Sequence, residues 1–225
     1  MTNFAVPAPP VVVVPVEGGQ DFPVRRIFCV GRNYAAHIRE MGNEPDKTPP
    51  IFFTKPADAI VQSGSAVAYP QATSNFHHEI ELVVALKGGG TDVAEADALG
   101  LVFGYAVGVD LTRRDLQGIA SKAGQPWDAS KAFDQSAPIG SIKPGSAPPT
   151  GAISLTVNGE TKQDASLADM IWNVPGIIAE ASKLWRLEPG DLIFTGTPEG
   201  VGPLVRGDKV EGTVDGLGTV SFTVS

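Results

Sequence analysis

Glycine or proline stands at about one position in five of this 225-residue chain, with 26 Gly and 19 Pro. Punctuation that dense interrupts apolar runs before a long helix can form, so the chain must fold as short, turn-linked segments rather than as a helical bundle. Hydrophobic residues make up 42% and charged residues 19%, enough apolar mass for a sizeable core and too little charge for a disordered tail. The single cysteine, Cys29, lies in the apolar run Ile27-Phe28-Cys29-Val30 and reads as a buried strand residue without a disulfide partner. With 17 Lys+Arg against 25 Asp+Glu the formal net charge is −8, which argues against binding nucleic acid or an anionic membrane. No basic segment opens the chain, and Val11 to Val14 is too short for a signal core or a membrane span, so a cytoplasmic location is expected.

Residues 1–24 are rich in Pro and Val and read as an arm or edge strand ahead of a main domain over 25–225. A buried strand is expected at about 26–30, then one or two helical turns over 34–41 ended by Gly42, a polar loop over 42–50 and a strand from Ile51. Further strands fit 79–86 and 101–109, with a helix-like stretch at 93–99 between them and a polar helix over 112–123 after them. A Pro/Gly-punctuated stretch covers 125–151. Asn158-Gly159 marks the turn of a hairpin over 152–163. An amphipathic helix is expected over 167–184, with Pro175 either in its first turn or dividing it. Short strands complete a single α+β domain.

The segment His77-His78-Glu79-Ile80-Glu81-Leu82-Val83-Val84-Ala85-Leu86 carries the most chemistry. Side chains alternate along a strand, so Glu79 and Glu81 share a face with Val83 and Ala85. Two carboxylates on a half-buried face repel each other and lose hydration, and a divalent cation is the simplest compensation. Asp110, which follows the apolar run from Val102 to Val109, offers a third oxygen ligand. An all-oxygen set favours Mg²⁺, Mn²⁺ or Ca²⁺ over Zn²⁺. The competing reading is a solvent-facing edge strand, with Asp110 capping the next helix. His77 and His78 stand near enough in sequence to join such a site.

His37 and Glu40, three apart on a short helix, share a face, so the carboxylate can orient the imidazole as a base for water. An ordinary exposed helical pair would have the same spacing. Gly42 and the loop after it would let this element act as a lid. Arg113, Arg114, Gln117, Lys122 and Lys131 form a basic and polar group suited to an anionic substrate or, equally, to a solvated helix face. The backbone of Thr195-Gly196-Thr197-Pro198-Glu199-Gly200-Val201-Gly202 can cradle an anion. There is no P-loop, dinucleotide fingerprint, nucleophile elbow or His-Glu-x-x-His motif.

Taken in order, six stretches resemble the fumarylacetoacetate hydrolase superfamily, within it the short acylpyruvate hydrolases. They are Val30 to His37, Phe53-Thr54-Lys55-Pro56, His78 to Leu82, Gly108 to Gln117, Lys131-Ala132-Phe133-Asp134 and Phe194 to Pro198. The likeness runs from about residue 25 to the C-terminus. It implies a β-rich roll or sandwich with few short helices, usually a homodimer, acting on small anionic 2,4-dioxo acids such as fumarylpyruvate in gentisate-type aromatic catabolism. Glu79, Glu81 and Asp110 match the family's metal carboxylates, with Mg²⁺ or Mn²⁺ implied. His37 and Glu40 match the water-activating dyad of a lid, and Lys131 the lysine near the substrate carbonyl. Arg114, Gln117 and Thr197 match groups around the bound acid. The first 24 residues lie outside the common core. On this resemblance, water activated by His37 attacks the C4 carbonyl, Lys131 stabilises the oxyanion, and C3–C4 cleavage releases pyruvate and a second acid.

Two alternatives share these residues. Oxaloacetate decarboxylases and hydroxy-dienoate isomerase/decarboxylases of the same superfamily use related chemistry without the hydrolytic water. A catalytically idle metal- or acid-binding protein would be expected to have lost Lys131 or His37, and both are present.

Overall fold

A computed structural model describes residues 4–42 and 48–225; the middle of the expected 42–50 loop lies outside the described residues. The architecture is an α+β roll in which short strands dominate and helices are few. Its largest sheet runs in the order Ile51–Lys55, Arg26–Gly31, Asp191–Phe194, Ile80–Leu86, Val102–Val109, Ala137–Ile139, Ile60–Gln62, with Lys143–Pro144 paired onto Val102–Val109. A five-stranded sheet, Glu160–Ser166, Ala152–Val157, Lys209–Val214, Thr219–Val224 and Ser65–Val67, supplies a second layer.

Period-two alternation in the strand Ile80–Leu86 sorts its side chains between two cores. Ile80, Leu82, Val84 and Leu86 join Ile153, Leu155, Val210 and Phe222 of the second layer. Val83 and Ala85 join Cys29, Leu192 and Phe194 on the other side. Glu81 shares the face of Val83, so its carboxyl belongs to this second side. An N-terminal hairpin, Val13–Val16 with Gln20–Pro23, contributes Val14, Val16 and Phe22 to the same core.

Four α-helices are described: α1 (Ala35–Glu40), α2 (Arg114–Ala123), α3 (Asp128–Lys131) and α4 (Val174–Leu184). The long helix expected over 167–184 is shorter. Leu167–Asp169 is a separate 3-10 turn, and α4 begins beyond it with the Asn173 side chain accepting from Gly176 N at 2.9 Å. Pro175 lies in the first turn, where its missing N–H costs nothing. The stretch expected to be helix-like at 93–99 is a 3-10 segment, Glu95–Leu101. Asn158 (φ 54°) and Gly159 (φ 82°) form the tight turn that their sequence called for. The expected strand over 79–86 is one strand, Ile80–Leu86, and Glu79 sits just before it, at the break from Phe76–His78, which pairs with Thr112–Arg113 and Gly202–Pro203 in a small third sheet. Among the described residues no helix is long and apolar enough to cross a membrane.

Candidate metal centre

Antiparallel register brings the three carboxylates together. Ile80 pairs with Val109 and Glu81 with Gly108, so the next residues outward, Glu79 and Asp110, face each other, and Asp110 N donates to Glu79 O at 2.8 Å. One carboxylate oxygen from each of Glu79, Glu81 and Asp110 lies within 4.8 Å of the others, and all three residues are buried. His77 and His78 do not join them. His77 Nε2 meets Asn75 Oδ1 at 2.8 Å, and His78 Nδ1 meets Gln163 Oε1 at 3.0 Å. Asp110 does not cap a helix either, since α2 starts four residues later.

The carboxylates differ in their counter-charges. Lys131 Nζ lies 2.7 Å from Glu79 Oε2, 2.6 Å from Asp110 Oδ2 and 2.6 Å from Thr112 Oγ1. Arg114 pairs with the other oxygen of Glu79. Burial alone would push the Glu79 carboxyl up, but Lys131 and Arg114 outweigh it and hold it well below the usual carboxylate range. Among the described residues Glu81 is paired with no lysine or arginine. Its Oε2 accepts from Gly196 N at 2.8 Å, and burial, then repulsion from Asp110 and Glu79, pushes its carboxyl well up. Asp110 Oδ1 has Lys55 Nζ at 2.8 Å, yet that close ion pair lies outside hydrogen-bond geometry and the oxygen accepts no hydrogen bond. A buried carboxylate with no cationic partner among the described residues, packed against two others, forms a donor set suited to a hard divalent cation.

Above this cluster, α1 places His37 Nδ1 3.1 Å from Glu40 Oε2. An ionised carboxylate only accepts, so Nδ1 carries the proton and Nε2 is left as the basic nitrogen. Asn33 anchors the start of the helix. Its Nδ2 donates to Trp172 O (3.0 Å) and Thr195 O (2.7 Å), and its Oδ1 accepts from Trp172 N (2.7 Å).

A cavity of about 280 Å³ opens onto these groups. His37, Glu79, Arg114, Gln117, Lys131 and Thr197 all line it; Glu81 and Asp110 are buried beside Glu79, and Glu40 lies exposed on α1. Arg114 also donates to Gln117 Oε1, which ties two of the polar groups on α2 to each other. Trp127 completes one side, edge-on to Phe53 with ring centroids 5.6 Å apart. Three residues essential to this geometry carried no role in the sequence reading. Asn33 and Lys55 lie inside matching stretches, Lys55 as a cation ending the apolar strand Ile51–Lys55. Gln163 lies on the hairpin strand Glu160–Ser166.

A buried carboxylate triad suited to a divalent metal, a histidine–glutamate pair beside the cavity and a β-rich roll together define a metal-binding enzyme fold. The chain belongs to the fumarylacetoacetate (FAA) hydrolase C-terminal family, whose model matches residues 26–225. It is 48% identical over 188 residues to a fumarylpyruvate hydrolase of Ralstonia sp, covering 82% of this chain and 98% of that one. It is 42% identical over 200 residues to an oxaloacetate tautomerase of Escherichia coli, covering 87% and 91%. Among solved structures, the fumarylpyruvate hydrolase of Pseudomonas aeruginosa in complex with Mn²⁺ and pyruvate superposes with a TM-score of 0.95 at 49% identity, covering 99% of each chain.

Proposed function

We propose that this protein hydrolyses the C3–C4 bond of a 2,4-dioxo acid, with fumarylpyruvate as substrate and fumarate and pyruvate as products. The observation that carries the reading is a single cavity lined by Glu79 of the buried carboxylate cluster and by His37 of the His37–Glu40 pair. The relatives described as fumarylpyruvate hydrolases, one of them holding Mn²⁺ and pyruvate, support it. A Mn²⁺ or Mg²⁺ ion held by the three carboxylates supplies Lewis acidity toward the 2-oxo acid end of the substrate.

The chain's own residues do the rest. His37 takes a proton from water through Nε2, and Glu40 stabilises the resulting imidazolium at Nδ1. The water oxygen bonds to C4, the C3–C4 bond breaks, and its electron pair leaves on C3, which then takes a proton to give pyruvate. Lys131 faces the charge that develops on the C4 oxygen. Lys55, Lys131 and Arg114 pair with Asp110 and Glu79, and Arg32 and Lys122 add positive charge along the cavity, which together suit an anionic substrate.

The oxaloacetate tautomerase relatives favour a second reading, in which the same base moves a proton between C3 and oxygen without adding water. Loss of fumarylpyruvate absorbance with and without Mn²⁺, run beside oxaloacetate, tests both. Metal-dependent loss with equal fumarate and pyruvate supports the hydrolase. Conversion of oxaloacetate alone overturns it in favour of the second reading.

A further inference from the structure

Gln163, 1% exposed on the hairpin strand Glu160–Ser166, has all four hydrogen-bonding positions of its side-chain amide used. Oε1 accepts from Ile80 N at 3.0 Å, and Nε2 donates to Pro198 O at 2.9 Å. A backbone N–H can only donate and a carbonyl can only accept, so these two contacts fix which end of the amide is which. His78 Nδ1 at 3.0 Å from Oε1 must then be a donor, and Thr197 Oγ1 at 2.8 Å from Nε2 must be an acceptor. The bond from Nε2 occupies a lone pair of the hydroxyl, so its hydrogen points elsewhere. No acceptor for that hydrogen is present among the described residues, and Thr197 lines the cavity.

The loop is pressed onto the hairpin closely enough to enforce this. A Cβ on Gly200 would lie 2.0 Å from Lys162 O, and its φ of +88° is one that side chains rarely adopt.

We infer that Gln163 is a positioning residue that fills one lone pair of the Thr197 hydroxyl and so leaves its hydrogen to be donated toward the cavity, which favours ligands presenting an anionic acceptor oxygen, a carboxylate above all. The inference rests on the proposed 2-oxo acid chemistry for the identity of the ligand, whereas the acceptor role of Thr197 Oγ1 toward Gln163 follows from the amide alone. Gln163→Glu is nearly isosteric and reverses the relationship: an oxygen replaces Nε2 and the hydroxyl donates back to it.

The test is calorimetric titration of oxalate, an acid that cannot be turned over, into the Mn²⁺-loaded protein, with KM and kcat measured separately. Losing a hydrogen bond to a charged oxygen should weaken oxalate binding about tenfold in Thr197→Val and again in Gln163→Glu. The double variant should bind no more weakly than Thr197→Val, and KM should rise more than kcat falls. Native-like binding by Gln163→Glu, effects that multiply in the double variant, or failure of the native protein to bind oxalate would each overturn the inference. Should Gln163→Glu fold poorly in a melting experiment, Gln163→Met serves in its place. It removes the donor to Thr197, and the same non-additivity is expected. If oxalate behaves as expected and fumarylpyruvate is not consumed, the inference stands and the hydrolase reading falls.

Discussion

Glu40 Oε1 accepts the backbone N–H of Gly200 at 3.0 Å, joining the helix that carries His37 to the glycine-rich loop that carries Thr197. The other oxygen of the same carboxylate faces His37 Nδ1. Glu40 therefore fixes the imidazole tautomer and holds α1 against the loop at once. The substitution Glu40→Gln separates the two tasks, because an amide can still accept from Gly200 while offering an N–H to His37. That N–H would reverse the tautomer and remove the basic Nε2. We expect kcat for fumarylpyruvate to fall by about 10²-fold or more with KM little changed, in line with loss of general base catalysis. Unchanged kcat would remove the base role from His37.

Glu81 links pH to stability. Burial, then Asp110 and Glu79, raises its carboxyl in the folded protein. The folded state thus holds a proton that an unfolded chain has released above about pH 4.3. The resulting stability is complete below that unfolded value and is lost as pH rises through the folded one. In chelator, the melting temperature of the native protein should therefore drop relative to Glu81→Gln as pH rises above the unfolded carboxylate value and through the raised folded one. Glu79 is shifted the opposite way and loses its contribution at acid pH, but it is common to both proteins and cancels in the comparison. Adding Mn²⁺ should raise the native melting temperature and leave the variant almost unmoved. Parallel pH curves would show that Glu81 is ionised without the ion.

The carboxylates were legible because alternation within Ile80–Leu86 and the position of Asp110 after an apolar strand are local patterns, and antiparallel register turned them into neighbours. Their partners were less so. Lys55 ends a strand, where nothing local marks it for burial; only the fold places it beside Asp110. Gln163 sits among Glu160, Thr161, Lys162 and Asp164, where nothing local says which polar side chain turns inward. At four residues, α3 is too short to show a helical period inside the Pro/Gly stretch. Glu79 was read as part of its strand and lies at the junction of two sheets, where it can meet both Lys131 and Arg114.

Lys55→Met should be costly. The ammonium is fully buried, 2.8 Å from Asp110 Oδ1 and 3.2 Å from Leu111 O. Removing one partner of a buried ion pair leaves the other charge uncompensated, and the loss expected in denaturant unfolding under chelator is about 3–5 kcal/mol. Lys55→Met combined with Asp110→Asn should recover part of it. Full additivity of the two would mean that the pair does not interact.

Gly196 is the residue whose N–H holds Glu81, and its φ of +97° suits glycine alone. A Cβ there would lie 2.7 Å from the Cβ of Asn33, the residue that anchors α1. Gly196→Ala should therefore cost at least about 1 kcal/mol in unfolding experiments. It should also weaken Mn²⁺ binding, because the carboxyl of Glu81 moves with the loop. A variant as stable as the native protein, with native metal affinity, would sink this account of the loop.

The cavity also holds a clue to the acyl group. Arg32 and Lys122 line it, and neither has an ion-pair partner among the described residues, whereas Lys131 and Arg114 are engaged with Glu79. Arg32 adopts a left-handed φ of 62°, a conformation that surrounding structure must impose on a non-glycine residue. In a chain of net charge −8, two unpaired cations beside an anion site suit a second carboxylate at the far end of the substrate. Fumarylpyruvate has one and acetylpyruvate has none. Arg32→Ala should raise KM for fumarylpyruvate by about tenfold while leaving KM for acetylpyruvate nearly unchanged, with Lys122→Ala producing a smaller shift in the same direction. Both shifts should shrink as salt is added, because these cations are exposed to solvent. Equal effects on the two substrates would place Arg32 in support of the loop rather than in contact with the acyl chain.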